Sequence, residues 1–279
     1  MPYTSIAVPY ALTTYTRIAA RLTITNPSDA LCTQFENYIN SFTDYIEGRT
    51  GRRFLLTQYV NDTYAFIEGI RQYIALRQAP VVYLQTTATL TVNSTTVSLS
   101  AANGQIKVGM VVLGDGIAPN TTVAAISTTT LTLSTAATAS YASHTGNITI
   151  IGLVGCQYRA GTPSNPSWTA YINDQFELMA DGKSGVVRVY GNTFGVNNFR
   201  ATYWAGYLID FTKVGDPTSH NLPADLTDLC ERLVVRAYKK RDAEAEKSVG
   251  GPQSNITWAD LIDDVDTEVI ERYARPIFA

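Results

Sequence analysis

The residue types that carry most acid–base, triad and transition-metal chemistry are scarce in this chain. Of its 279 residues only two are histidine, His144 and His220. His220 lies in a polar turn just before Asn221-Leu222-Pro223, and its neighbour Ser219 does not make a triad with it. No G-x-S-x-G elbow is present. Cys32, Cys156 and Cys230 are far apart and odd in number, which gives neither a disulfide framework nor a zinc spacing. There is no G-x-x-x-x-G-K-[ST], and the glycines from Gly109 to Gly116 fall between strands with no helix to face a phosphate. Asp260, Asp263, Asp264, Asp266 and Glu268 form an acidic cluster, but without the spacing and glycine of a calcium loop. Acids at the start of a helix are ordinary. The expectation is therefore a protein with no catalytic residue, no cofactor and no metal.

Two basic clusters remain. Lys239, Lys240 and Arg241 fit a helix C-terminus, where cations meet the dipole, better than they fit a phosphate or an acidic partner. Arg49, Arg52 and Arg53 place three guanidinium groups within five residues, more than one helix end requires. A net charge of -3 argues against a nucleic-acid binder working through bulk charge. The early Arg17 and Arg21 resemble the start of a leader, but Thr13, Thr14 and Thr16 break the apolar run it needs. No stretch of about eighteen apolar residues is present to cross a membrane. The chain is expected to be made and used in a cytoplasm.

The elements that must position these groups are unevenly distributed. The chain is 45% hydrophobic and only 16% charged, against a usual charged share of about a quarter. That deficit is local. From Thr86 to Thr149, 64 residues hold sixteen threonines and two charges, Lys107 and Asp115, while 43 charges fall in the other 215 residues. Within the stretch, Leu90/Val92, Val97/Leu99 and Leu131/Leu133 alternate with Thr or Ser, the pattern of half-buried strands. Asn93-Ser94, Asn103-Gly104, Gly114-Asp115-Gly116 and Pro119-Asn120 supply turns. This predicts five to seven short antiparallel strands in a small sandwich or barrel, inserted as residues 85–150.

Helical patterns flank the insertion. Ser28 and Asp29 can cap a helix whose apolar face is Leu31, Phe35, Tyr38, Ile39, Phe42, Tyr45 and Ile46, with Gly48 as its stop. A shorter helix fits Thr14 to Leu22. Strands are expected at Gln58–Phe66, Tyr73–Leu76, Ala79–Tyr83, Trp168–Ile172, Phe176–Met179 and Val186–Tyr190, and around Phe199, Ala201 and Tyr203. A second long helix has Pro223 in its first turn and the face Leu222, Leu226, Leu229, Cys230, Leu233, Val234, Ala237 and Tyr238. Gly250-Gly251-Pro252 breaks the chain before a last amphipathic stretch, Trp258 to Tyr273. The fold class is α+β, with residues 1–84 and 151–279 as one discontinuous core and 252–279 as a C-terminal arm.

Five segments of the flanks occur in a telling order. A short helix leads to Leu22-Thr23-Ile24 and a polar turn ending at Asp29. The long helix ends in Tyr45-Ile46-Glu47-Gly48-Arg49-Thr50-Gly51-Arg52-Arg53-Phe54. Leu76-Arg77-Gln78-Ala79-Pro80-Val81 follows, then Arg200-Ala201-Thr202-Tyr203-Trp204-Ala205-Gly206-Tyr207. Leu222-Pro223-Ala224-Asp225-Leu226 opens the last core helix. The ordered set resembles the head–tail connector (adaptor) proteins of tailed double-stranded DNA bacteriophages. The chain departs from that family in the strand before Ala205-Gly206-Tyr207 and in carrying the β insertion. Part of the insertion, Val108 to Ile117 and Thr130 to Ser134, is similar to a small β repeat of phage structural proteins.

The resemblance implies a helical adaptor core with a small antiparallel sheet and a structural, non-enzymatic role in the virion neck. The chain would form a homo-oligomeric ring of about twelve copies, join the portal protein to a tail, stopper or terminator protein, and surround the passing genomic DNA without reading its sequence. It would reside in the virion, and in the host cytoplasm during assembly. Arg49, Arg52, Arg53, Lys239, Lys240 and Arg241, with Trp258, Tyr273 and Phe278 of the arm, are the candidate interface residues. A different neck or tail completion component, whose β domain binds a surface glycan, is the alternative. A virion-borne glycan hydrolase would rest only on the abundance of carboxylates and tyrosines.

Overall fold

The structure is a computed structural model and describes residues 3–66, 73–162, 165–171, 175–190, 195–247 and 261–274. These form an α+β protein with four α-helices and three antiparallel sheets. The chain divides into two compact units, Met1–Phe54 with Ile209–Arg275, and Leu55–Leu208. The first holds the α-helices and the second all the strands. The units therefore do not follow the composition boundary at residues 85 and 150.

In the helical unit, α1 (Tyr15–Arg21) precedes α2 (Asp29–Thr50). Ser28 caps α2, its hydroxyl accepting the Leu31 N–H at 3.3 Å. The helix does not stop at Gly48. It runs on to Thr50, and Gly51 at φ 65 is the left-handed residue that ends it. An interior glycine costs about 1 kcal/mol, but the last turn is held by burial of Ile46, Glu47 and Thr50. Phe35, Ile39, Phe42 and Ile46 form the inner face predicted by their spacing. They pack on α3 (Ala224–Lys247), which contributes Leu226, Leu229, Leu233 and Val234.

The α3 helix is longer than its apolar face. Good helix formers from Ala243 to Lys247 extend it, so Lys239, Lys240 and Arg241 stand inside the helix and not at its C-terminus. The stretch expected as an arm contains α4 (Asp264–Tyr273), which packs on α2 and α3. Asp263 and Asp266 close a reciprocal capping box at its start. The segment ahead of α1 lies along a polar side of α2. Glu36 accepts from Tyr3 Oη (2.8 Å), Ser5 Oγ (2.6 Å) and the Ile6 N–H (2.5 Å). Asn40 and Thr43 accept the Val8 and Leu12 N–H groups at 3.0 and 3.2 Å. Burial of the Glu36 carboxylate is thus compensated by three donors.

In the strand unit, β1 (Thr57–Phe66), β13 (Gly195–Ala205), β9 (Leu153–Thr162) and β10 (Asn165–Ala170) form one sheet in that order. A second sheet has the order β11 (Phe176–Leu178), β12 (Val186–Val189), β2 (Tyr73–Ala75). Tyr203, Phe199, Val187 and Val189 lie in the core they share. Of the expected strand at Ala79–Tyr83, Val81 makes only an isolated bridge, to Ala205, and Tyr83 belongs to the next strand; the Ala79–Pro80 bond is cis.

The Thr-rich stretch contributes nearly all of the third sheet, whose first and last strands begin and end just outside it: β3 (Tyr83–Leu90), β4 (Thr96–Leu99), β5 (Val111–Gly114), β6 (Val123–Ser127), β7 (Thr130–Leu133) and β8 (Tyr141–Ile151), in the order β5-β8-β3-β4-β7-β6. Leu90, Val97, Leu99, Leu131 and Leu133 are buried, as the alternation predicts, but Val92, just past β3, is exposed. The two outermost strands meet. Gly109 N–H donates to Val123 O and Val123 N–H to Met110 O, both at 2.8 Å, and Val112 N–H donates to Thr121 O at 2.9 Å. These bonds close the sheet on itself at that end. Entry and exit strands pair, with Tyr83 opposite Ile151. Val82 and Trp204, outside the sheet, belong to its apolar cluster.

Candidate interaction sites

The arginines after α2 divide into different roles. Glu47, buried on the last turn, accepts Arg53 Nη1 at 2.5 Å and the Phe54 N–H at 3.0 Å. Arg53 also lies over the Tyr10 ring, 5.7 Å from its centroid. The Glu47 hydrogen bond holds its pKa above the ordinary guanidinium value. Arg53 is thus a strut of the joint after α2. Arg52 is half-buried, its N–H on the Glu47 carbonyl at 3.2 Å. Arg49 is exposed and makes no ion pair among the described residues. Lys239 is exposed and Lys240 half-buried. Trp258 and Phe278 lie outside the described residues, as does the side chain of Arg241.

The acidic cluster is an internal fastening. Asp266 is fully buried and accepts Arg232 Nη2 at 2.8 Å and Nε at 3.1 Å, along with Arg236 Nη1. Asp263 takes Arg236 Nη2 at 2.6 Å. Bonding first to the Asp266 N–H, then attraction to Arg236, holds the Asp263 carboxyl below the usual range against its desolvation. The ladder continues through Arg232 to Asp228, from there to Arg21 at 2.7 Å, and on to Glu231, which also takes Arg17 at 2.6 Å and Thr13 Oγ1 at 3.0 Å. Four arginines thus alternate with four carboxylates across α1, α3 and α4. Asp260 lies outside the described residues, and among those described no group of three or more His, Cys, Asp or Glu side chains could hold a metal ion. Tyr273 donates to Asp225 at 2.7 Å and sets its ring edge against Phe54 at 6.3 Å, so it fastens α4.

His220 Nδ1 accepts the Asp210 N–H at 3.1 Å and its ring lies 4.9 Å from Phe211. Desolvation by burial lowers its pKa. Nothing is described of the His144 side chain. The three cysteines are buried free thiols, and burial pushes Cys230 up to about 12, which leaves it a poor nucleophile.

Two features have no counterpart in the sequence patterns. On β1 and β13, Tyr64 and Tyr203 both donate to Asp62 Oδ2, at 2.5 and 3.1 Å, and their hydroxyls are 3.0 Å apart. Arg77 binds Asp62 Oδ1 and donates to the Thr63 carbonyl at 2.8 Å, and its N–H meets Tyr64 Oη at 3.0 Å. Desolvation raises both phenol pKa values, so the hydroxyls stay donors. The group pins the turn after β2 to the first sheet. The second feature is a groove of about 350 Å³ beside β11, with Tyr83, Val111, Leu113 and Ile151 opposite the strand and Glu177 and Asp181 among its lining.

No protein family, curated protein or solved structure matches the chain.

Proposed function

We propose that this chain is a structural, non-enzymatic protein of a phage neck: an adaptor that forms a ring with its own copies, joins the portal to the tail or stopper, and prolongs the DNA channel. The six-stranded sheet is then an addition inserted into the adaptor core. Its sites of action are the virion neck and, during assembly, the host cytoplasm. The observation that carries the reading is where the resembling segments meet.

Gly206 N–H donates to Pro80 O at 2.9 Å, Val82 N–H to Trp204 O at 3.1 Å, and Leu56 N–H to Tyr207 O at 2.8 Å. Leu55–Leu56 immediately follows the Arg52-Arg53-Phe54 segment. Three of the five segments, far apart in sequence, thus lead into one hydrogen-bonded junction. The other quoted residues have architectural uses too: Glu47, Arg53 and Phe54 build the joint after α2, and Leu222 and Leu226 are buried at the start of α3. Segments that build a joint rather than a pocket suit an assembly subunit. The exposed Arg49 and Lys239 are then the cations available to a neighbour, the portal or DNA phosphates.

The test is to mix purified protein with portal rings and image the product, and to locate labelled protein in virions. Density at the neck and a portal complex are expected. Virions lacking the protein at the neck, together with no portal binding, would overturn the reading. Weakened portal binding in Arg49→Glu with an unchanged melting curve would place that arginine at the contact.

A further inference from the structure

One wall of the groove is β11, an edge strand of its sheet. Among the described residues β11 pairs only with β12, so no described strand covers its other edge. Tyr190 N–H donates to Gln175 O at 2.7 Å. In an antiparallel ladder this makes Glu177–Arg188 the next hydrogen-bonded pair, given the register Glu177 opposite Arg188. The Phe176 carbonyl and the Leu178 N–H must then point away from β12. The groove is lined by Phe176 and Leu178, from one face of the strand, and by Glu177 from the other. It therefore runs along that other edge of the strand.

The opposite wall is apolar: Val111 and Leu113 of β5, Ile151 of β8 and Tyr83 of β3. Leu113 is 40% exposed, high for a leucine on a strand. Acids sit at the rim. Glu177 is exposed and accepts Tyr190 Oη at 2.7 Å, and Asp181 is exposed; neither makes an ion pair among the described residues. Beyond Leu178 the chain turns through Ala180 and Asp181, both left-handed at φ 50, so the edge ends there.

We infer that this groove binds an extended segment of another polypeptide, apolar at alternate positions and basic between them, which adds as a strand to β11. One peptide residue opposite Glu177 makes both outward bonds if the segment runs parallel to β11, giving its N–H to Phe176 O and taking the Leu178 N–H. Successive side chains of an added strand point to opposite faces. One set enters the apolar groove against Leu113 and Ile151. The other set lies on the face of Glu177, where Lys or Arg would answer the Glu177 and Asp181 carboxylates, neither ion-paired among the described residues. An acidic strand fails the charge condition and a helix fails the backbone one. The inference is independent of the neck reading, since it uses only β11 and its surroundings.

The experiment titrates the full chain into a fluorescein-labelled short peptide of alternating valine and lysine. Two controls replace lysine by glutamate, or N-methylate the amide that would face Phe176. Saturable binding of the lysine peptide is expected, with losses of about tenfold or more for both controls and slower hydrogen exchange at the Leu178 amide. Glu177→Lys/Asp181→Lys and Leu113→Asp, each with an unchanged melting curve, should weaken binding by a similar factor. Because all three positions are exposed, the variants test the groove without emptying the core. No saturable binding, equal binding of the N-methylated peptide, or unaltered Leu178 exchange would overturn the inference.

Discussion

Gly182 is at φ +76 where the chain turns back from β11, and a Cβ there would stand 2.2 Å from the Val81 carbonyl oxygen. The Gly182 carbonyl itself accepts the Val81 N–H at 2.9 Å, so the two segments cannot separate without losing that bond. Gly182→Ala is expected to lower the unfolding free energy by about 2–3 kcal/mol, measured by urea denaturation. Gly48→Ala should act in the opposite direction, because Gly48 is inside α2 with open space at its Cβ position. A gain of about 0.5–1 kcal/mol follows from helix propensity. The sequence alone does not distinguish these glycines, and it predicts a stop at Gly48 because the apolar period ends at Ile46. What carries the helix to Thr50 is the buried polar group of Glu47, whose partners Arg53 and Phe54 lie outside that period. His220 adds a pH dependence. Its lowered pKa means that its contribution is complete above the unfolded-state value of about 6.5 and is lost as pH falls below it toward the folded value. The helical unit should lose stability as pH falls below about 6.5. His220→Gln should flatten that step in thermal melts, and an unchanged pH profile would clear His220 of the effect.

At the level of elements, the stretch expected to be a free arm is in part a fastened helix. The acids from Asp260 to Glu268 are visible in sequence as a cluster, but the groups that neutralise Asp263 and Asp266 are Arg232 and Arg236, about thirty positions earlier on a face that reads as ordinary dipole compensation. Periodicity locates α4 and says nothing of this pairing. Removing one member of a buried ion pair leaves its partners uncompensated, at a cost of about 3–5 kcal/mol. Asp266→Asn is therefore expected to destabilise the helical unit by about that amount and to speed hydrogen exchange across α4. Loss in Arg236→Gln should be less than additive with it. Exchange in α4 no faster than in the parent would show that Val269 and Ile270, both buried, hold the helix without the ladder. Strand β9 escaped the pattern for a related reason. Gly155 and Gly161 interrupt its alternation, and Gly152 just ahead of it is required by contact, since a Cβ would meet Trp204 O and Val82 Cβ at 2.9 Å.

For the whole molecule, composition and packing mark different boundaries. Charge depletion follows the six-stranded sheet, whose outer faces are threonine and whose core is aliphatic. Compactness instead separates helices from strands, because the apolar cluster of that sheet continues into Val82 and Trp204 of the adjoining segments. The alternation of the sheet was legible in its sequence, whereas this continuity depends on residues more than a hundred positions apart. It also defines what excision would do. Tyr83 and Ile151 are register partners, so replacing residues 84–150 by a two-residue Asn-Gly turn rejoins ends that already lie on neighbouring strands. The excised residues all lie in the strand unit, so the far-ultraviolet helix signal should persist. Trp204 packs against the removed cluster, and its buried Nε1 has no hydrogen-bond partner among the described residues. In a protein with Trp168 and Trp258 replaced by Phe, excision should shift Trp204 emission to the red and raise its quenching by acrylamide. A retained helix signal with the red shift would mean that the sheet is separable and Trp204 its contact. Loss of the helix signal would mean that the strand unit cannot fold without it, and that the two units do not fold independently.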